Sequence, residues 1–155
     1  TTMAGRSAPL SSASDRQRFH QIRSKARSIA IGGNTYRSEL YGKTKLPVLV
    51  ATRQVPHERE REGLVHFLNN SPAEVIGIAL SKYGGPVLVE GGVNFLRPLI
   101  EQRLIDTFYI TRSRNSGDGN FLECSLLDTN YELIDSESLE ENDFEVWLPR
   151  KQQSR

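Results

Sequence analysis

Two glycine pairs, Gly32-Gly33 and Gly91-Gly92, each follow a short apolar run and stand where a helix is expected to begin. Such turns are typical of anion binding, because glycine lets the backbone approach a phosphate and the start of a helix favours negative charge. A single pair is more often only a tight turn, but two pairs in equivalent settings favour a ligand of dinucleotide size. Neither pair follows the G-x-G-x-x-G fingerprint, and the Walker A sequence is absent, which disfavours a Rossmann fold or a P-loop enzyme.

A hydroxyl and a guanidinium, Thr52 and Arg53, follow another apolar run. A pair of this kind suits a ribose 2′-phosphate and therefore favours NADPH over NADH. The alternative is that Arg53 is an ordinary surface charge.

Glu90 follows Val87-Leu88-Val89 directly, at the expected rim of the core. A carboxylate in that place needs a partner. It either binds the N–H groups of a heterocycle or caps the following helix, and the sequence leaves both interpretations open. Arg23, Lys43 and Lys45 are candidates for binding a substrate phosphate, or else they are solvated surface charges.

The elements that must position these residues are short buried strands alternating with helices. Alternation of this kind predicts parallel βαβ units, whose strands end at one edge of the sheet, where ligands bind. Two late strands without an intervening helix predict an antiparallel ending. The expected strands are Ser28–Ile31, Leu46–Thr52, Pro86–Val89, Ile105–Thr111, Tyr131–Ile134 and Phe144–Leu148. The first expected helix is capped by Ser14 and runs to Arg27, and a short one follows from Asn34 or Thr35 to Gly42. The third is capped by Ser71 and has Ile76, Leu80 and Tyr83 on its buried face. The fourth covers Asn94–Arg103. Gln54–Asn70 is the least periodic stretch, and its charged run His57–Glu62 predicts a solvated loop or surface turn.

Length and composition favour one α/β domain over residues 1–155, with a net charge of +1 and 25% charged residues. That balance gives no reason to expect nucleic acid or a membrane as partner. The single cysteine, Cys124, forms no intrachain disulfide, so we expect a reducing, cytoplasmic setting. The three histidines lack the spacing of a metal site, and none is predicted.

Four segments together form a more specific pattern: Arg23, Ile31–Tyr36, Leu46–Val50 and Val87–Gly92. With them the chain, from about Met3 to Thr111, resembles the C-terminal reductase domain of the bifunctional riboflavin biosynthesis protein. The resemblance implies a dihydrofolate-reductase-like fold, with a mostly parallel central sheet flanked by helices and antiparallel C-terminal strands. It also implies a homodimer and NADPH as hydride donor. The implied reaction reduces the ribosyl group of 5-amino-6-(5-phosphoribosylamino)uracil to ribityl.

Site residues carry over from that family by position. Arg23 and Glu90 are expected to contact the substrate, with Lys43 or Lys45 near its phosphate and Ser12 as a looser match. The expected cofactor residues are Gly32, Gly33, Thr35, Glu39, Thr52, Arg53, Gly91, Gly92, Val93, Asn94, Phe95 and Leu96.

The chain also departs from the family pattern. Ala4 stands where the family has an aspartate, and Glu39–Gly42 replaces the usual Asp-Asp-Pro. These changes keep two alternatives open, a reductase of another substrate such as a pterin and a catalytically silent relative that binds nucleotide. The catalytic residue stays unassigned, because Asp15, Glu39 or a bound water are equally suited to supply the proton.

Overall fold

The computed structural model describes residues 12–39, 41, 44–54, 64–113 and 122–151. The chain divides into two compact units. Arg18–Pro98 form one, which we call the parallel unit, and Thr1–Gln17 with Leu99–Arg155 form the other, the antiparallel unit. The prediction of a single domain over residues 1–155 stays a prediction.

The parallel unit is built on a four-stranded parallel sheet in the order β3-β2-β1-β4. In β1 and β2, short runs of β-branched and aliphatic residues bury both faces of the strand, as in other parallel sheets. The core centres on Ile29, Ile31, Val48, Val50 and Val65. The bounds are β1 (Ser28–Gly32), β2 (Val48–Ala51), β3 (Val65–Leu68) and β4 (Val87–Val89).

Strand β3 was not predicted from the sequence, and it lies in the least periodic stretch, 54–70. The loop predicted over 57–62 lies outside the described residues. The four residues of β3 are too few to show a period, and a run of charges precedes them in the sequence. It is a strand because it pairs with β2, Val65 opposite Val48 and Leu68 opposite Ala51.

Helices pack against this sheet, α2 (Gly33–Ser38) on β1 and β2, and α3 (Pro72–Tyr83) on β1, β2 and β4. The predicted start of α3 is confirmed by a complete capping box in which the side chains of Ser71 and Glu74 bond each other's backbone N–H. Its predicted buried face is wrong. Val75 and Ala79 are fully buried, whereas Leu80 is 49% exposed. The buried face of α3 therefore lies one residue earlier in the sequence than the apolar spacing predicted.

The two other long helices are α1 (Ala13–Ser24) and α4 (Val93–Glu101). Helix α1 begins before the predicted Ser14, because the hydroxyl of Ser12 accepts a hydrogen bond from Asp15 N at 3.1 Å. Ser12 is therefore the cap, and α1 also ends earlier than expected. Helix α4 begins at Val93, within one residue of the predicted start at Asn94, and contains Pro98 in its interior.

The antiparallel unit contains a three-stranded sheet in the order β5-β7-β6. Its strands are β5 (Phe108–Ser113), β6 (Tyr131–Leu139) and β7 (Asn142–Pro149), and α5 (Cys124–Asn130) precedes β6. The antiparallel C-terminal strands are confirmed. They are longer than expected, since residues between the two predicted late strands also pair across the sheet. Helix α5 was not expected.

Each unit thus has the layout that the sequence predicted, α/β with a parallel sheet flanked by helices in one and antiparallel strands in the other. Among the described residues, no helix has both the length and the apolar character needed to cross a membrane.

Candidate functional site

The two glycine turns that the sequence singled out lie side by side. Strands β1 and β4 are neighbours in the sheet, with Ala30 opposite Val89, so the chain leaves both strands at the same edge. Backbone hydrogen bonds join the two exits, from Glu90 N to Ala30 O at 3.3 Å and from Gly32 N to Gly91 O at 3.4 Å. The expectation that the two turns share the carboxyl edge of the sheet is confirmed.

Gly92 lies in close contact with α2, and we call the group formed by Gly33, Gly92, Thr35 and Thr52 the cradle. The φ of Gly92 is +83°, a conformation that side chains with a Cβ adopt only at a cost. A Cβ built on Gly92 would lie 2.7 Å from Thr35 Oγ1, closer than any real contact of that kind. Backbone and the hydroxyl of Thr35 therefore come together here because position 92 has no side chain.

The second close approach is between Gly33 and the end of β2. A Cβ on Gly33 would lie 2.8 Å from Thr52 Oγ1 and 3.2 Å from Arg37 Nη1. The hydroxyl of Thr52 itself holds the turn after β2, since it donates to Gln54 O at 2.9 Å and accepts from Gln54 N at 3.1 Å. Arg53, the next residue, is exposed.

The first turn of α4 is hydrogen-bonded to Gly92 of the cradle. Phe95 N and Leu96 N both donate to Gly92 O at 2.9 Å. Phe95 is buried, with its Cβ 3.3 Å from the place of a Cβ on Gly32. Phe95 and Leu96 therefore support the turn by packing and backbone bonds, whereas Val93 is half-buried and Asn94 is exposed.

Glu90 and Arg23 form a charged pair beside the cradle. Arg23 Nε lies 3.1 Å from Glu90 Oε1, and the side chains are only 23% and 7% exposed. The contact does not have hydrogen-bond geometry. Among the described residues, Arg23 Nε, Arg23 Nη2 and Glu90 Oε1 are buried with no hydrogen-bond partner. Buried polar atoms are nearly always paired, so an ion pair without hydrogen-bond geometry beside the unpartnered Arg23 Nη2 makes this group a candidate ligand site.

Tyr41 is the third member of this group. It shares a hydrogen bond with the Glu90 carboxylate, and the Arg23 guanidinium carbon lies 5.9 Å from its ring centre. Burial raises the pKa of Glu90, while Arg23 and the Tyr41 hydrogen bond oppose that rise. Burial and the charge of Glu90 raise the pKa of Tyr41, so its hydroxyl remains a proton-bearing donor. Sequence reasoning did not identify Tyr41, although it lies in the segment that departs from the resembled family.

Of the two interpretations of Glu90, the structure does not support capping of the following helix. Its carboxylate meets Arg23 and Tyr41, and no bond from it to the first turn of α4 occurs among the described residues. Glu39 also belongs to this neighbourhood, because its charge contributes to the raised pKa of Glu90. Glu39 N donates to Thr35 O at 3.0 Å, which ends α2.

The remaining predicted residues are Lys45, Lys43, Ser12 and Asp15, together with position 4, where the family pattern is lost. Lys45 is exposed, and Lys43 and Ala4 lie outside the described residues. Ser12 belongs to the antiparallel unit, where Asn142 Nδ2 also donates to its hydroxyl at 2.8 Å. Asp15 is in that unit too, accepting from Thr111 Oγ1 at 2.6 Å. Within the described ranges, no group of three or more potential metal ligands is found.

The cradle and the charged group fit a dinucleotide cofactor and a polar substrate. At positions 33 and 92 a Cβ would overlap the hydroxyls of Thr52 and Thr35, so backbone and hydroxyl groups lie close together there. Close backbone and hydroxyl groups are what a phosphate-bearing ligand requires. The unpaired atoms of Arg23 and Glu90 offer donors and an acceptor to a second ligand.

Comparison with known proteins defines the fold of this chain. No protein-family model matches the sequence, and no curated protein matches it in sequence. Solved structures do match. Dihydrofolate reductase from Enterococcus faecalis, solved with NADP(H) and RAB-propyl, has a TM-score of 0.66 at 18% identity, covering 97% of this chain and 89% of that one. The chain therefore has the dihydrofolate-reductase-like fold.

Two further structures come from riboflavin biosynthesis. RibD from Acinetobacter baumannii has a TM-score of 0.66 at 17% identity over 97% of this chain, which spans 55% of the RibD chain. A riboflavin biosynthesis protein from Shewanella sp. PV-4 has a TM-score of 0.65 at 15% identity, covering 86% of this chain and 79% of that one. The resemblance predicted from the sequence is confirmed for the fold.

Proposed function

We propose that this chain is an NADPH-dependent reductase whose substrate is 5-amino-6-(5-phosphoribosylamino)uracil, the ribosyl group of which it reduces to ribityl. The observation that carries the proposal is the buried Glu90–Arg23 pair, with its unpaired donors and acceptor, beside two joined glycine turns. The fold supports it, since structural neighbours are a dihydrofolate reductase bound to NADP(H) and proteins of riboflavin biosynthesis.

The cofactor's place is proposed at the cradle. Backbone at Gly33 and Gly92, with the hydroxyl of Thr35, approaches the dinucleotide closely because neither glycine has a side chain. Arg53, exposed at the end of β2, suits a ribose 2′-phosphate and so the choice of NADPH over NADH. When bound, NADPH supplies a hydride.

The substrate's place is proposed at Glu90 and Arg23. An acceptor oxygen next to guanidinium N–H groups is the complement of an amide edge, in which a ring N–H adjoins a C=O. Uracil has such an edge, and burial strengthens the recognition because an unmatched ligand would leave these groups unpaired. Lys45 or Lys43 is proposed for the phosphate.

The reaction requires little chemistry from the side chains. The sugar's C1 gains a hydride and the oxygen released from it gains a proton, which opens the ribosyl ring to the ribityl chain. Residues 23 and 90 hold the heterocycle so that C1 stays in place, and positioning of this kind accounts for a large part of a hydride-transfer rate. The proton donor is not assigned.

Two alternatives remain to be separated by experiment. A pterin carries the same amide edge, so Glu90 and Arg23 fit a pterin reductase as well. A silent relative would bind NADPH and reduce neither compound, which is the outcome that the replacements at Ala4 and at Glu39–Gly42 would explain.

The test is titration calorimetry of the full chain with NADPH and with NADH, followed by the loss of NADPH absorbance on addition of the phosphoribosylaminouracil or of dihydropterin. We expect NADPH-selective binding and turnover of the first compound only. Turnover of the pterin alone would replace the substrate, binding without turnover would establish the silent relative, and absence of binding would reject the cofactor site.

A homodimer in the cytoplasm is part of the proposal. The exposed apolar side chains of β6, Leu133, Ile134 and Leu139, support an association, and the single cysteine supports a reducing setting. Light scattering at increasing protein concentration tests the dimer, and a monomer at all concentrations would reject it.

A further inference from the structure

The Glu90–Arg23 pair needs a third group to hold its two side chains in place, because they do not form a hydrogen bond with each other. The Nε–Oε1 separation of 3.1 Å lacks hydrogen-bond geometry, and three of the pair's polar atoms are unpaired within the described structure. A nearly buried carboxylate in that state tends to take up a proton or to turn away. A neighbouring group must therefore hold it ready for a ligand.

Tyr41 touches both charges at once. Its hydrogen bond reaches the Glu90 carboxylate, and its ring lies 5.9 Å from the guanidinium carbon of Arg23. On the other side of that guanidinium, the Phe19 ring centre is 5.5 Å away. A guanidinium near two aromatic rings has fewer orientations open to it, and each such contact adds attraction.

Tyr41 is itself held by an aromatic chain that reaches the sheet. Tyr36 of α2 stacks on Tyr41 with ring centres 6.2 Å apart and planes 15° from parallel. Tyr36 in turn meets Phe67 of β3 edge to face, at 5.1 Å and 87°. Tyr36, Tyr41 and Phe67 all pack against the buried core of the parallel unit. The position of the Tyr41 hydroxyl is therefore set by the core.

We propose that Tyr41 is a positioning residue that orients Glu90 and Arg23 toward the substrate, and so helps to determine the specificity of the site. Arg23 Nη2 has no hydrogen-bond partner among the described residues and is open to a ligand C=O, whereas Glu90 Oε1 has only its 3.1 Å contact with Arg23 Nε. Only the identity of the ligand rests on the proposed function.

The groups that act on the charge of Glu90 are Arg23 of α1, Tyr41, and Glu39 after α2. Arg23 and the Tyr41 hydroxyl favour the carboxylate, whereas Glu39 and burial oppose it. Removing the hydroxyl alone therefore raises the pKa of Glu90. Tyr41→Phe does this and keeps the ring, so the stack with Tyr36 remains.

The decisive measurement is a pH titration of the full chain labelled with 13C at the glutamate carboxyls, followed by NMR without ligand. Glu90 is identified as the signal missing from Glu90→Gln. We expect its pKa to be higher in Tyr41→Phe than in the parent chain. Tyr83→Phe is the matched control, because it removes a different hydroxyl hydrogen bond, to His66 Nε2 at 2.8 Å, and should leave Glu90 unchanged.

Activity gives the second measurement. In Tyr41→Phe, the KM for the phosphoribosylaminouracil should rise about tenfold to a hundredfold, as expected for a lost hydrogen bond to a charged group. The acid limb of its pH profile should move to higher pH, which a purely structural loss would not cause. A Glu90 titration that is the same in Tyr41→Phe and the parent would overturn the proposal. Absence of NADPH binding in all variants would instead reject the proposed function and leave the titration result valid.

Discussion

Replacing Gly92 by alanine tests whether the cradle is where the cofactor binds. At φ +83° an alanine costs about 1–2 kcal/mol relative to glycine. Its Cβ would also lie 2.7 Å from Thr35 Oγ1, so Thr35 or the turn must move. We therefore expect the free energy of unfolding to fall by about 2 kcal/mol, within the usual range for strained backbone.

The same change should weaken NADPH binding. The new methyl would displace Thr35 or the turn at Gly92, both of which are proposed to contact the dinucleotide. We take the cost of restoring the original contacts to be equal to the backbone cost of alanine at position 92. The Kd for NADPH then rises by about tenfold, since about 1.4 kcal/mol is a factor of ten. Titration calorimetry measures the Kd, and denaturant unfolding measures the stability.

The chain provides a matched control in Gly77→Ala. Gly77 lies in the exposed part of α3, and a Cβ there would meet nothing within 4 Å. Alanine should therefore raise stability by about 0.5–1 kcal/mol and leave NADPH binding unchanged. The reasoning about the cradle is refuted if Gly92→Ala binds NADPH as tightly as Gly77→Ala does.

A double variant separates overlap from backbone strain. Thr35→Ala removes the Oγ1 atom, after which the nearest neighbours of a Cβ at position 92 are at 3.8 and 3.9 Å, which is ordinary contact. Gly92→Ala with Thr35→Ala should therefore cost less stability than the sum of the two single changes. Strict additivity would show that the two residues do not touch as described.

Two further predictions concern stability. Because the folded-state pKa of Glu90 is raised, its ionisation opposes folding, and the penalty develops as the pH rises from the unfolded value of about 4.3 through the folded pKa. Denaturant unfolding across that range should show the stability of Glu90→Gln gaining on the parent as pH rises, and a constant difference would contradict this. Ser71→Ala should lower the free energy of unfolding by about 1 kcal/mol at neutral pH, because it breaks the capping box of α3. A thermal melt measures this, and an unchanged Tm would mean that the box contributes nothing.

Local patterns in the sequence were enough to predict most elements of the fold. Ser71-Pro72-Ala73-Glu74 specifies a helix start by itself, because every group of the capping box lies within four residues. The apolar runs that became β1, β2 and β4 were recognisable for the same reason, as were the glycine turns after β1 and β4. Where the signal was short or contradicted by its flanks, as in β3 and α5, the prediction failed.

The composition of the site needed the tertiary structure. Arg23, Tyr41 and Glu90 come from three separate segments, and they meet because the sheet order β3-β2-β1-β4 brings those segments to one edge. The sequence by itself determined the strand ends, the glycine turns and the candidate charges. Only the packed sheet decided that Val75 and Ala79, rather than Leu80, face inward, and that Tyr41 joins the charged pair. The physical reason is that a hydrogen bond or a buried contact depends on distances between residues far apart in the chain, which local periodicity does not contain.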